Sequence, residues 1–196
     1  MSLHALLSEV RACRLCAGTL DPRPVLRLSK HSRILVIGQA PGSRVHASGV
    51  PWDDRSGAHL IEWLGVDRAT FDDPDCFGIL PMGLCYPGRK SGGDAPPRPE
   101  CAPLWHPRVL CAITRPPLRI LIGAHSQRRY LGRRRKRTMT LTVQSFEEYL
   151  PDRLLPLPHP SWRVRGWMRV NPWFEAAVLP ALRAEVQRAI TAPNTA

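Results

Sequence analysis

The residues best suited to chemistry follow short apolar runs of the chain. His159 comes after the run Leu154–Leu157 and opens a His-Pro-Ser segment that ends at Ser161. A lone histidine is most often structural. An imidazole at the end of a strand in a parallel sheet has a stronger claim to a role in catalysis, because ligands bind beyond the carboxyl ends of such strands.

A tryptophan beside two carboxylates is the second unusual group. Trp52, Asp53 and Asp54 stand just before Ser56, where a helix through Leu60–Leu64 is expected to begin with the serine as its cap. Two interpretations remain open. In one, an aspartate caps the helix and Trp52 packs in the core. In the other, Trp52 stacks on a flat base while Asp54 orients a water molecule or stabilises a cation.

The turn Gly38–Gly42 is the third candidate, with the sequence Gly-Gln-Ala-Pro-Gly directly after an apolar run. Two glycines and a proline predict a tight turn that exposes backbone N–H groups. Such turns bind phosphate or are merely structural about equally often. This one is not a P-loop, because no Gly-Lys-Ser or Gly-Lys-Thr follows.

The six cysteines predict ligands for a metal or cluster before they predict disulfides, since we expect an intracellular protein. Cys13 and Cys16 form a Cys-x-x-Cys pair, while Cys85 and Cys101 flank a loop rich in proline and glycine. Four thiolates suit an iron–sulfur cluster or Zn²⁺ equally well. Cys111 has the spacing of a core residue on its helix.

Short apolar strands that alternate with helices must position these groups. This alternation predicts an α/β fold with a central, mostly parallel four-stranded sheet covered on both faces, a three-layer α/β/α architecture. The predicted loop 86–99 is the longest connection. The predicted strands are Arg33–Gly38, Phe77–Leu80, Leu118–Gly123 and Leu154–Leu157, and the other predicted helices are Leu3–Leu15, Cys101–Ile113 and Ala176–Ile190.

Length and composition indicate one globular domain. The 196 residues, of which 43% are hydrophobic, predict a single domain over 1–196 with residues 191–196 as a disordered tail. No apolar run is long enough to span a membrane, and the first residues lack the pattern of a signal peptide. We therefore expect a monomer in the bacterial cytosol or nucleoid, with no membrane partner.

The charge balance predicts a polyanionic partner. Lys and Arg number 28 against 16 Asp and Glu, a formal net charge of +12. In a compact domain such an excess is typical of nucleic-acid binding, although a basic surface without that role is possible. Arg163, Arg165, Trp167 and Arg169 follow His159 closely, which fits a loop that contacts phosphates and fills a gap in a base stack.

Taken together, these motifs resemble the uracil-DNA glycosylase superfamily, most closely its family 4 and family 5 members. Those members carry a first motif Gly-Glu-Ala-Pro-Gly or Gly-Leu-Ala-Pro and a final His-Pro-Ser. Gly38–Gly42 and His159–Ser161 match these motifs, Gly49–Trp52 resembles the segment with the base-stacking aromatic, and Asn171–Glu175 resembles the end of family members. The resemblance implies the same fold and the excision of a damaged base, uracil first, from single- or double-stranded DNA.

The resemblance also implies residue roles. His159 would donate a hydrogen bond to a base oxygen, and Trp52 would stack on the base. Further contacts to the base would come from backbone N–H groups at Gln39 and Ala40 and from the turn at Met82 and Gly83. Phosphates would be held by Ser161, Arg163 and Arg165, with one of these arginines filling the vacated stack.

Two departures from the family pattern affect chemistry. With Gln39 and Ala40 the first motif offers no carboxylate, so the resemblance to family 5 shifts that role to Asp54, two residues before Ser-Gly, with Asp53 as the fallback. Many relatives also place a uracil-reading asparagine four residues before the third cluster cysteine, where this chain has Pro81. Backbone groups of the same turn, or another side chain, would have to replace it.

The cysteine spacing resembles the site that holds a structural [4Fe–4S] cluster in these families. The resemblance implies that Cys13, Cys16, Cys85 and Cys101 are its ligands, with Zn²⁺ as the alternative. The cluster would tie the N-terminal helix and the long loop to the body of the domain.

Three alternatives remain open. The chain could be a glycosylase for another deaminated base, such as hypoxanthine or xanthine, because Pro81 replaces the asparagine. It could be a catalytically weak module that binds damaged DNA, since the first motif has no carboxylate. A cluster-bearing redox protein is the third alternative, but it would leave His159 and Trp52 without a role.

The basic composition generates a first prediction. Affinity for DNA should fall about tenfold or more between about 50 and 200 mM KCl, because each phosphate contact releases condensed counterions. Fluorescence anisotropy of a labelled oligonucleotide across that range measures the slope. An affinity that does not change with salt would remove the argument from the basic surface.

Overall fold

A parallel sheet forms the centre of the computed structural model, which describes residues 2–90, 92–114 and 117–192. The strands, in chain order, are β1 (Ile34–Ile37), β2 (Phe77–Ile79), β3 (Arg89–Lys90), β4 (Gly93–Asp94), β5 (Leu118–Ile122) and β6 (Leu154–Leu157). Of these, β3 and β4 form a separate hairpin. Four strands of the described chain lie side by side in the order β2-β1-β5-β6, all parallel. The strands β3 and β4 pair antiparallel.

The helices lie on both faces of this sheet, which confirms the predicted three-layer architecture. They are α1 (Leu3–Arg11), α2 (Ser43–Ser48), α3 (Arg55–Leu64), α4 (Arg68–Asp72), α5 (Cys101–Cys111), α6 (Gly123–Leu131), α7 (Met139–Gln144), α8 (Val164–Val170) and α9 (Leu179–Thr191). Tight 3₁₀ segments cover Gly132–Arg134 and Phe146–Asp152, and a π-helical turn covers Phe174–Val178.

Alternate residues of each strand supply two separate cores. On β1, Ile34 and Val36 face a cluster that also contains Trp63 of α3 and side chains of α9, whereas Leu35 and Ile37 face a cluster covered by α1, α5 and α6. A parallel sheet covered on both faces needs mostly apolar residues along its strands, because neither face meets water, and the half-buried Arg119 of β5 is an exception. This requirement explains why the strands could be predicted as short, mostly apolar runs.

The element ends differ from the predictions in ways that matter for the site. The first helix stops at Arg11, so the cysteine pair lies in the turns that follow it. The expected loop 86–99 contains the hairpin β3–β4. The closing helix starts as the π-helical turn and continues as α9 to Thr191, one residue into the expected disordered tail. Residues 193–196 of that tail lie outside the described residues.

The prediction for Cys111 was wrong. The thiol is exposed at the last residue of α5, whereas Trp105, His106 and Val109 provide the buried face of that helix. Two of these buried residues precede it by five and two positions, so its spacing only approximates the inward stripe.

None of the helices among the described residues is long and apolar enough to cross a lipid bilayer.

Candidate functional site

The predicted functional segments converge on one cavity at the carboxyl ends of the parallel strands. Its volume is about 560 Å³. The walls come from the loop after β1, the start of α3, the end of β2 with Pro81 beyond it, the hairpin β3–β4 and the loop after β6. This is the edge where an open parallel sheet binds ligands, because its strand ends leave a crevice between diverging loops.

The loop after β1 forms one wall of the cavity, and its first residue, Gly38, lies close to the Trp52 ring. A Cβ on Gly38 would lie 3.2 Å from Cζ2 of the Trp52 ring, so a side chain there would require the indole to shift by a few tenths of an ångström. The side-chain amide of Gln39 donates from Nε2 to the carbonyl of Ala95, at 3.0 Å. Gln39 and Ala40 both line the cavity, and the amide group of Gln39 is used to hold the segment that follows the hairpin.

Trp52 combines the two roles that the sequence left open. Its ring packs against the core from a half-buried position and also lines the cavity. The ring centroid lies 5.9 Å from that of His159. The backbone of Trp52 is left-handed, with φ of 57°, a conformation that costs an L-residue about 1 kcal/mol. The contacts of the surrounding structure must offset this conformational free energy to keep the indole in place.

Asp54, rather than Ser56, caps α3. The N–H of Gly57 donates to Oδ1 of Asp54 at 2.8 Å, which satisfies one of the free donors at the start of the helix. The aspartate also lines the cavity, so the cap orients a carboxylate towards it. The prediction of Ser56 as the cap was therefore wrong by two residues, since the helix begins at Arg55.

Asp53 lies outside the cavity wall. Its Oδ1 approaches Nη2 of Arg44 at 3.7 Å, an exposed ion pair that contributes little to stability. The structure thus separates the two adjacent aspartates, with Asp54 at the cavity and Asp53 at the surface.

The ring of His159 faces the cavity and makes no hydrogen bond to the described residues. Among the described residues neither ring nitrogen has a hydrogen-bond partner, and the side chain touches the open space of the cavity. By surface area the residue is exposed to the open cavity, yet the protein around the ring partly desolvates it. This burial lowers the pKa of His159 below its ordinary value, while the carboxylates of Asp54 and Asp94 partly oppose the shift. The imidazole is therefore neutral at neutral pH and can donate one N–H.

The loop after β6 supplies the mouth of the cavity, together with a residue that the sequence analysis missed. Ser161 and Arg163 line the cavity, and Trp162 between them is 77% exposed. The guanidinium of Arg163 lies 5.2 Å from the Trp162 ring and donates to the carbonyl of Gly92 at 3.2 Å. An aromatic directly after His-Pro-Ser and before a helix was the available signal.

The remaining arginines and the tryptophan of that segment lie away from the cavity. Residues Val164–Val170 form α8 instead of the expected loop. Arg165 and Arg169 are exposed on that helix and do not line the cavity. Trp167 packs on Trp173 and donates from Nε1 to Thr140 at 2.9 Å, so it belongs to the core.

The turn after β2 offers few free polar groups. Met82 and Gly83 do not line the cavity, and their N–H groups donate to the carbonyls of Gly38 and Gln39, each at 2.9 Å. Pro81 does line it but has no N–H. Its carbonyl accepts a hydrogen bond from Nε2 of the buried His106 at 3.1 Å.

A buried relay fixes the direction of that last bond. The hydroxyl of Tyr130 donates to Nδ1 of His106 at 2.7 Å, which leaves Nε2 as the donor to Pro81. Burial lowers the pKa of His106 to about 4 and raises that of Tyr130 to about 12, so both stay neutral. The relay ties down the backbone at the position where many relatives have a base-reading asparagine.

The hairpin β3–β4 is the second feature that the sequence analysis missed. Arg89, Lys90 and Asp94 all line the cavity. The strands are only two residues long, so they carry no apolar alternation that could be recognised. The pair of glycines at positions 92 and 93 after two basic residues was the available signal for a turn.

The sequence of this chain also matches a known protein family. A family model described as the Uracil DNA glycosylase superfamily matches residues 27–183. The chain belongs to this superfamily. Membership indicates a hydrolase of the DNA glycosylase type, with DNA as the substrate and DNA repair as the process. The match includes the first motif, Asp54 and His159, which are the segments that the fold brings to the cavity.

The four cysteines of the predicted cluster site lie together in the fold. Cys13 and Cys16 precede the residues that the family model matches. Together with Cys85 and Cys101 they line a small second cavity between the segment after α1 and the start of α5. The N–H of Leu84 donates to Sγ of Cys101 at 3.3 Å.

The protonation of these thiols bears on whether a cluster fits. Burial raises the pKa of Cys85 to about 12 and that of Cys101 to about 11, and the neighbouring thiols add to both shifts. A positively charged cluster would reverse this effect by binding the thiolates. Across residues 2–90, 92–114 and 117–192, no group of three or more His, Cys, Asp or Glu side chains is arranged to hold a metal ion.

Gly57 determines whether this glycosylase cavity can form, because it lies under the backbone of Trp52. A Cβ at Gly57 would lie 1.9 Å from the carbonyl oxygen of Trp52. We predict that Gly57→Ala lowers the free energy of unfolding by about 3 kcal/mol, since the backbone must shift. Urea unfolding followed by circular dichroism measures the change.

Gly166→Ala is the matched control. Gly166 is exposed in α8, and a Cβ there meets nothing within 4 Å. Alanine should raise the free energy of unfolding by about 0.5 kcal/mol through helix propensity. Equal effects of the two substitutions would contradict the close contact between Gly57 and Trp52.

Proposed function

We propose that this protein flips a deaminated base, uracil first, out of DNA and hydrolyses its N-glycosidic bond in the cavity. One observation supports this most: an aromatic ring, a carboxylate and a neutral histidine line the same cavity, which has a volume of about 560 Å³ in a member of this superfamily. A base inside a duplex cannot reach such a cavity, so the nucleotide must leave the stack.

The reaction separates two charges that the cavity must stabilise. The bond between the base nitrogen and C1′ breaks, and its electron pair leaves with the base as an anion. The sugar becomes an oxocarbenium-like cation. The oxygen of a water molecule then bonds to C1′ and loses a proton, and the base takes up a proton. Groups that are already oriented towards these charges lower the barrier without reorganisation.

His159 suits the anionic base. Because its pKa is lowered by burial, it is present as a neutral donor and its ring nitrogens are otherwise unbonded among the described residues. A hydrogen bond from its N–H to a base oxygen strengthens as negative charge develops there. Trp52 offers a face on which the base can stack, next to the histidine.

Asp54 suits the cationic sugar. Its Oδ1 is engaged by the helix cap, and its Oδ2 lies 4.0 Å from the place a Cβ would take on Gly42. A fixed carboxylate at the cavity wall stabilises a nearby cation and can orient a water molecule. Since Gln39 and Ala40 replace the carboxylates of related motifs, Asp54 carries this role here.

The mouth of the cavity suits DNA. Trp162 is exposed beside the guanidinium of Arg163, so its ring can enter the space that a flipped base leaves. Arg163, Ser161, Arg89 and Lys90 surround it and can contact phosphates. Arg165 stands further out, on α8, where it can add to the basic surface.

The turn at Pro81 supports a second candidate function, in which the enzyme excises a broader range of deaminated bases. Its carbonyl is bound to His106, and the following N–H groups are bound to the loop after β1. The usual amide that reads uracil has no counterpart in this turn. Hypoxanthine and xanthine are therefore candidate substrates beside uracil.

Excision from a panel of oligonucleotides tests the proposed function. Duplexes and single strands with one uracil, hypoxanthine or xanthine are incubated with the protein and then treated with alkali, which cleaves abasic sites. We expect strand cleavage at uracil above all. Binding without cleavage on every substrate would instead identify a module that recognises damage without chemistry.

Asp54→Asn tests the assignment of the carboxylate. The substitution keeps the helix cap, because the amide oxygen still accepts from Gly57, but removes the charge. We expect the single-turnover rate of excision to fall by about 10² or more, with DNA affinity retained. Asp53→Asn serves as the comparison and should lose far less. The reverse order would move the role to Asp53.

We also propose that Cys13, Cys16, Cys85 and Cys101 bind a [4Fe–4S] cluster that stabilises the fold. They line one cavity, and the N–H donated to Cys101 suits a thiolate. Four thiolates would also suit Zn²⁺, which is the alternative occupant of this site.

Cys85→Ser tests this proposal, with Cys111→Ser as the control for an exposed thiol outside the site. The first variant should lose iron, acid-labile sulfide and visible absorbance, and its yield of folded protein should drop because the cluster cross-links two segments. The control should keep all of these. Stoichiometric zinc without iron in the native protein would contradict the proposal.

A further inference from the structure

Asp94 is a carboxylate of the cavity that nothing in the motif pattern assigns. It lies at the end of β4, on the hairpin that covers the loop after β1, and its side chain lines the cavity wall. Its neighbours there include Gln39, Pro41 and His159.

Several contacts hold the hairpin in this position. Gln39 donates to the carbonyl of Ala95 at 3.0 Å, and Arg163 donates to the carbonyl of Gly92 at 3.2 Å. The N–H of Ala95 also closes the hairpin onto the carbonyl of Gly88 at 2.9 Å. Two walls of the cavity therefore fix the segment that carries Asp94.

Asp94 and Asp54 approach the same point from different elements. A Cβ placed on Gly42 would lie 3.8 Å from Oδ2 of Asp94 and 4.0 Å from Oδ2 of Asp54. The two oxygens are thus separated by no more than the sum of these distances. Both carboxylates also act electrostatically on His159. Among the described residues, Oδ2 of Asp94 has no hydrogen-bond partner, whereas Oδ1 accepts from the Tyr86 hydroxyl at 3.5 Å.

The capping bond limits what Asp54 can do alone. One of its oxygens accepts from Gly57, and the positive end of the α3 dipole offsets part of its charge. Asp94 makes no capping bond, although its Oδ2 lies close to Gly42, the N-cap of the short helix α2.

We propose that Asp94 is a second catalytic carboxylate, which stabilises the cationic sugar together with Asp54. This inference rests on the proposed function. The base leaves as an anion, so a carboxylate beside it would raise the barrier to bond cleavage. The partner that a fixed carboxylate favours in this reaction is the sugar, where positive charge develops. Gly42 leaves room for the sugar, because it places no side chain between the two aspartates.

Two abasic DNA duplexes distinguish this role from others. One carries a protonated pyrrolidine in place of the sugar, which resembles the cation in charge. The other carries a neutral tetrahydrofuran. Fluorescence anisotropy gives the dissociation constants of the full-length protein for both, and their ratio reports how strongly the site favours positive charge.

We expect the wild type to prefer the cationic duplex, and Asp94→Asn to reduce that preference about tenfold, as should Asp54→Asn. Single-turnover excision by Asp94→Asn should slow on every accepted base by a similar factor. Asp152→Asn is the matched control, since this exposed aspartate pairs with Arg134 away from the cavity. It should change neither quantity.

An undiminished preference in Asp94→Asn, or no preference in the wild type, would overturn the inference. A changed ranking of uracil against hypoxanthine, with the cationic preference intact, would also overturn it and make Asp94 a base-reading residue. The proposed function is tested separately, because excision by the wild type does not depend on the ratio. Its failure would be an absence of cleavage on all substrates.

Discussion

The hydrogen bond from Gly57 to the carboxylate of Asp54 is the interaction on which the site depends. It starts α3, and the same geometry leaves the second oxygen of Asp54 at the cavity wall. The helix is anchored by Leu60 and Trp63 in the core, so the carboxylate cannot drift without unpacking the helix. Gly57 must be glycine, because the carbonyl of Trp52 occupies the place of a side chain. The same local geometry therefore positions both the acid and the aromatic.

This arrangement explains how a glycosylase can lack a carboxylate in its first motif. The loop after β1 contributes shape instead of charge: Gly38 admits the Trp52 ring, and Gln39 ties down the segment after the hairpin. Negative charge comes from the start of α3 and from the hairpin, while arginine and lysine side chains stand at the mouth. The interior thus suits a cationic sugar and the rim suits phosphates. A neutral, desolvated His159 faces the cavity without adding charge to it.

The parallel strands could be predicted from sequence because strands covered on both faces consist mostly of apolar residues. Their parallel order also predicted that the motifs after them converge at one edge of the sheet. Caps and short strands carry weaker signals. Ser56 and Asp54 are both good caps, and in the fold the bond from Gly57 to Asp54 decides between them. The hairpin β3–β4 has two-residue strands, so no periodicity reveals that Asp94 reaches the cavity. Cys111 has nearly the spacing of an inward residue but lies at the exposed end of α5. Burial at an element's end depends on neighbours that are distant in sequence.

A crystal structure with a duplex that contains 2′-fluoro-deoxyuridine would test the central claim most directly. The electron-withdrawing fluorine destabilises the sugar cation, so the bond survives while the nucleotide can still be flipped. The account predicts uracil in the cavity against the Trp52 ring, a base oxygen within hydrogen-bond distance of His159, and C1′ facing Asp54. A uracil that remains stacked in the duplex, or one that enters the cavity with Asp54 beside the base instead of the sugar, would contradict it.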